Sequence, residues 1–243
     1  MGANAQTSVP VFTAGQILTA QQQTEINTGI PVFATTATRD AAFGGTGEKT
    51  LAEGQFAYIE ATNATQYYDG TAWQSASGLT FITGATFTTV TSVSLPTNTF
   101  TSTYANYKVV FVLTAVTADL DLSVKLRASG VDTSSGYEYA YTGLTSGGAA
   151  SNAAFAGGSD WSAAEADIAS TYYTFNMDLF APQLTQRTSF LATIVFDNKS
   201  AVTVSRSGGG FQDSATSFDS ISFISNVASS ITGNYKVYGY SNS

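Results

Sequence analysis

The clearest pattern in the chain lies between Tyr107 and Arg127. Val109, Val110, Phe111, Val112 and Leu113 form an unbroken apolar run, the mark of a strand covered on both faces. After a short polar break, Leu120, Leu122, Val124 and Leu126 alternate with Asp121, Ser123, Lys125 and Arg127. Successive side chains on a strand point to opposite faces, so this run turns its aliphatics inward and its polar groups outward. Two such strands separated by turn residues predict a sandwich or barrel unit, not a βαβ unit. The period recurs downstream, predicting strands over 81–91, 107–114, 120–127, 137–141, 171–180, 189–197, 201–206, 217–224 and 235–240. Tyr173, Phe175, Met177 and Leu179 share one face of their strand, and Phe190, Ala192, Ile194 and Phe196 share one face of the next. With Gly, Ser and Asn between the strands, the expected fold is all-β: an antiparallel, jelly-roll-like β-sandwich. The exception is Ser146–Ala169, rich in Gly, Ala and Ser, which reads as a long functional or mobile loop carrying Phe155 and Trp161.

Ahead of the sandwich, the pattern is different. Residues 1–15 read as an extended arm. Thr19 and Gln22 have the spacing of a capping box, and Asn27-Thr28-Gly29 with Pro31 closes the segment, predicting one short helix. Thr38–Phe43 predicts a single capped turn, and Gly44–Gly47 a flexible loop without the strand–loop–helix setting of a phosphate cradle. Gln55–Glu60 and Gln66–Tyr68 predict a small hairpin, followed by the tight-turn pair Asp69-Gly70 and then Trp73. A hairpin this small cannot bury its own aromatics, so Tyr58, Tyr67, Tyr68 and Trp73 need a neighbouring element or chain. Ser75-Ala76-Ser77-Gly78 reads as a linker. It divides the chain into an attachment arm with hairpin, residues 1–78, and a display domain, residues 79–243. The arm is expected not to fold by itself.

Composition changes the picture in two ways. Charged residues make up 11% of the chain, against roughly 25% in an average soluble domain. Its surface is therefore mostly Ser, Thr, Asn, Gln and Gly, which suits an extracellular or particle-borne β-protein and equally a plain β-rich domain. Net charge is −8, and the nine Lys and Arg are scattered singly, so no nucleic-acid footprint is visible. No apolar run approaches the roughly 18–20 residues of a membrane span. The N-terminal MGANAQTSVP lacks the basic and apolar regions of a secretory signal. Cysteine and histidine are both absent. That removes the usual nucleophile, base and ligands of Cys–His, Ser–His and zinc chemistry, and leaves only carboxylate pairs. No cofactor, metal or catalytic residue is assigned.

The candidate sites are few. Tyr137, Tyr139 and Tyr141 alternate, so their rings share one face; with Trp161 they are candidates for a glycan-stacking platform, a subunit interface, or core filling. Asp160, Glu165 and Asp167 near Trp161 are the right type for Ca²⁺ but lack EF-hand spacing, and read rather as a solvated acidic loop. Asp119 and Asp121 are two apart on one strand face, as a carboxylate pair or a solvated strand end. Arg187 and Arg206 are isolated.

Two groups of residues resemble a known family. VFTAGQILTAQQQTEINTGIPVF, then ATRDAAF and the YDGTAW hairpin, are similar to the N-terminal part of tailed-bacteriophage virion proteins of the tail fibre or minor tail type. Tyr104–Lys108, Leu126–Gly130 and the closing Gly233–Tyr240 resemble the β-sandwich modules of the same proteins. The resemblance implies a non-enzymatic virion protein, assembled in the host cytoplasm and released by lysis. Residues 1–78 would grip other virion proteins, and the sandwich would face the host surface and its glycans. By analogy with fibres of that family, and because exposed aromatics need burial, a homotrimer is expected. The alternatives are a capsid decoration or head-fibre protein, and a carboxylate-dependent polysaccharide depolymerase. Missing β-helix repeats and catalytic constellation speak against the latter.

Overall fold

An alternating strand is stable only when another layer covers its apolar face, and the computed structural model shows what covers each. It describes residues 6, 7, 9, 11–20, 22, 23, 29–46, 48–166, 173–198 and 200–240, with the backbone alone for 163–166. The chain divides into two compact units, residues 1–80 with residue 243, and residues 81–242.

In the first unit, β1 (Val32–Phe33), β2 (Phe56–Ile59), β3 (Ala64–Tyr68) and β4 (Trp73–Ser75) form a four-stranded sheet in that order. β1 runs parallel to β2, and the remaining pairs are antiparallel. The helix α1 (Thr36–Asp40) starts two residues earlier than the expected turn. Thr35 and Thr38 make the reason plain. The Thr38 N–H donates to Thr35 Oγ1 at 3.2 Å and the Thr35 N–H donates to Thr38 Oγ1 at 3.0 Å, a reciprocal box that places Thr38 inside the helix. The Thr19–Gln22 box also forms, with backbone-to-side-chain bonds of 3.0 and 3.2 Å. Between β2 and β3 the chain turns through a 3₁₀ segment, Glu60–Thr62, and left-handed Asn63. Asp69 Oδ1 closes the β3–β4 turn by accepting from the Thr71 and Ala72 amides and the Thr71 hydroxyl. The small core is Phe33, Ala42, Ala57 and Ile59, with Phe43 and Trp73 against it. Trp73 meets Tyr68 at 5.7 Å and Phe43 at 5.9 Å, and the Arg39 guanidinium lies 4.5 Å over its ring. The hairpin aromatics Tyr68 and Trp73 thus find their packing inside this unit.

The second unit is the expected antiparallel sandwich. In chain order its strands are β5 (Leu79–Val90), β6 (Ser92–Ser94), β7 (Asn106–Val116), β8 (Leu120–Ala128), β9 (Val131–Asp132), β10 (Tyr137–Thr145), β11 (Ala153–Gly158), β12 (Trp161–Ala166), β13 (Tyr173–Phe180), β14 (Thr188–Asp197), β15 (Thr203–Gln212), β16 (Ser220–Ser225) and β17 (Ile231–Tyr240). An eight-stranded sheet runs β11-β10-β15-β14-β13-β7-β17-β5, and a five-stranded sheet runs β12-β8-β16-β6 with β9 beside β8. Their facing sides hold one continuous core. Phe111 of the large sheet stacks on Phe223 of the small one with centroids 4.0 Å apart, and Phe87 and Phe175 extend that column of rings. At the other end, Trp161 packs on Phe190 at 4.4 Å. Each fully buried Leu, Val or Phe contributes roughly 1.5–3 kcal/mol, so this double layer is where the stability resides.

One expectation is corrected. The region read as a long loop, Ser146–Ala169, contains the two strands β11 and β12. Ala140 pairs with Ala154, and Trp161 pairs with Val124 in the opposite sheet, so the chain crosses from one layer to the other here. Backbone pairing offered by neighbours makes these Ala- and Gly-rich segments extended, although their side chains carry little alternation. Residues 167–169 of the region, and Thr171 and Tyr172 of the expected strand 171–180, lie outside the described residues.

Candidate functional site

The rings expected to form a platform are mostly core residues. Tyr137 and Trp161 are fully buried and Tyr141 nearly so, while Tyr139 is half-buried. The Tyr137 hydroxyl accepts from the Leu126 N–H at 2.8 Å and donates to Thr133 O at 3.3 Å, tying β10 to β8. Its ring meets Trp161 edge-on at 5.2 Å, and Trp161 Nε1 donates to Phe211 O. Burial raises the pKa of Tyr137, Tyr139 and Tyr141, because a phenolate would lose its hydration there. Core filling is therefore the role of Tyr137, Tyr141 and Trp161. The exposed ring nearby is Phe155 on β11, stacked against Tyr139 at 6.4 Å.

The acidic candidates do not converge. Asp160 accepts from the Ser159 hydroxyl at 3.0 Å, Asp167 lies outside the described residues, and the backbone of Glu165 pairs with Asp121. Asp121 is bound three times to Asn226: its N–H donates to Asn226 Oδ1 at 2.8 Å, its Oδ2 accepts from Asn226 Nδ2 at 2.9 Å, and its carbonyl accepts from the Asn226 N–H at 3.0 Å. Among the described residues no group of three or more Asp, Glu, His or Cys is placed to hold a metal ion. Arg187 pairs with Asp213 and lies over Phe211, and Arg206 is held by Ser151 above Phe196.

The structure brings together a different set, on the outer face of the eight-stranded sheet. Strand register sets side chains in rows across this face. One row runs Tyr238, Lys108, Asp178, Leu191, Gly209 and Ala140. The next runs Lys236, Val110, Asn176, Thr193, Ser207 and Thr142, and the next Asn234, Val112, Thr174, Val195, Ser205 and Leu144. These rows alternate with those that fill the core. A shallow trough of about 370 Å³ crosses the face, lined by Asn176, Asp178, Leu191, Ala192, Thr193, Ser207 and Gly208. Lys108 Nζ pairs with Asp178 Oδ1 at 3.2 Å, and the Tyr240 hydroxyl donates to the same oxygen. Burial and the neighbouring Asp178 carboxylate push the Tyr240 hydroxyl up to about 12. Thr193 and Ser207 hydroxyls lie 3.4 Å apart.

The alternation that identified the inward faces of β13 and β14 also names the outward residues of this trough. What it withheld was register, and hence which strands lie side by side. In class, the second unit is an antiparallel β-sandwich with a near-neutral outer sheet face. No family profile matches the chain, and no curated protein or solved structure matches it either.

Proposed function

We propose that the chain is a non-enzymatic structural protein of a tailed-bacteriophage virion, tail-associated, with the sandwich turned toward the host surface. Residues 1–78 attach it to other virion proteins. The observation that carries this reading is the coincidence of motif and architecture. The segments resembling virion proteins include the compact hairpin unit and β17, a strand inside the large sheet of a sandwich whose outer face carries few charges, of both signs. A display module needs a rigid body and an accessible, weakly charged face, and both are present.

Immunogold electron microscopy of the parent particle, with antibodies against the sandwich, is expected to label the tail. Label on the heads, with purified protein binding empty heads and not host cells, overturns the tail placement in favour of capsid decoration. The protein is further proposed to act as a homotrimer, on the analogy of fibres and the exposed apolar residues Leu144 and Phe155. Sedimentation of a stable monomer at micromolar concentration refutes that.

A further inference from the structure

The trough on the outer sheet face is built from paired strands, not loops, so its groups are held in place before any ligand arrives. The row position beside Leu191 is Gly209, and the Leu191 side chain lies against it, its Cδ2 2.9 Å from where a Cβ would stand. The charge of Asp178 is countered by Lys108, and the Tyr240 hydroxyl occupies the same carboxylate oxygen. Both of these contacts fall on Asp178 Oδ1, and among the described residues no hydrogen bond reaches Oδ2, so one acceptor stays available. Beside it stand the Asn176 amide and the Thr193 and Ser207 hydroxyls, all on exposed residues, and the Leu191 isobutyl group, 59% exposed.

These groups discriminate between ligand classes. A bound divalent cation calls for several oxygen ligands with more carboxylate charge than Asp178 alone supplies. An anion meets that carboxylate. A purely apolar ligand strands the amide and hydroxyls without partners. A neutral polyhydroxyl ring satisfies all of them: vicinal hydroxyls donate to the carboxylate and exchange hydrogen bonds with Asn176, Thr193 and Ser207, while the C–H face lies on Leu191. The volume, about 370 Å³, falls at the small end of ligand sites. We propose that this trough binds a neutral saccharide through Asn176, Asp178, Thr193 and Ser207, with Leu191 beneath the ring. The biological use of such binding rests on the host-surface reading above; the binding itself does not.

The test is ¹H–¹⁵N NMR of the full chain titrated separately with glucose, galactose, mannose and N-acetylglucosamine at millimolar concentration. At least one of them is expected to shift the amides of Asn176, Asp178, Leu191, Thr193 and Ser207. Asn176→Ala and Thr193→Ala, both at exposed positions, should each weaken that sugar about fivefold and leave core amide positions unchanged. N-acetylneuraminic acid, which carries a carboxylate, should leave the trough amides in place. The proposal is overturned if none of the four neutral sugars moves these amides, if the acidic sugar binds as well as the neutral ones, or if both variants bind like the parent. Failure here leaves the particle-labelling result standing, and label on heads leaves this titration readable.

Discussion

At Gly208 and Gly210 a single methyl group decides whether β10 and β15 can pair. An added Cβ would sit 2.1 Å from Ala140 O at Gly208 and 2.0 Å from Glu138 O at Gly210. Both oxygens belong to the backbone of a paired strand, so neither can yield without breaking the ladder. Gly208→Ala and Gly210→Ala are each expected to cost about 3 kcal/mol, read from the urea midpoint at unchanged slope. Gly147→Ala is the control: its nearest neighbour atom is 3.8 Å away, and its effect should stay within about 0.5 kcal/mol. Alternation places Tyr137, Tyr139 and Tyr141 on one face but is silent on which face. Glycines at 208 and 210 lie directly opposite Tyr141 and Tyr139, on the face that those two rings occupy.

At the scale of the element, strands with strong alternation were legible in the sequence nearly to their ends. Leu120–Ala128 and Tyr173–Phe180 carry their own pattern, and any sheet that buries one face accepts them. β11 and β12 were not legible. Ala153–Gly158 has exposed Ala and Phe in succession, and it is a strand because β10 presents it with free backbone groups. The local turns divide the same way. The Thr19–Gln22 box and the Asp69-Gly70 turn are written in adjacent residues. The Asp69 carboxyl is held well below the usual carboxylate range by the Ala72 and Thr71 amides. The trough was half legible. Its outward residues follow from the alternation of β13 and β14, whereas the meeting of Asp178 with Leu191 depends on the register of those consecutive strands and that with Lys108 on pairing with β7, far away in the chain.

For the whole molecule, the core is unusually phenolic and therefore sensitive to base. Burial raises the pKa of Tyr137, Tyr141 and Tyr173, and Tyr240 is pushed up to about 12. In the unfolded chain these hydroxyls titrate near the ordinary value of about 10. Between the two values the folded chain keeps protons that the unfolded chain releases. Stability is therefore full below pH about 10 and falls as pH rises through the folded values. Alkaline titration is expected to release the buried phenolates together with loss of the sheet circular dichroism signal. Stepwise phenolate absorbance with the sheet signal intact would refute this.

The place of β17 in the large sheet sets the timing of assembly. It lies between β7 and β5, yet the ribosome makes it after every other strand of that sheet. At translation speeds of roughly 5–20 residues per second, β7 waits on the order of ten seconds for this neighbour, and its other edge is bare until β13 is made. During that interval β5 has no sheet neighbour to join. Nascent copies along one message thus carry identical vacancies and later produce identical strands to fill them, so the sheet closes only when Ile231–Tyr240 emerges.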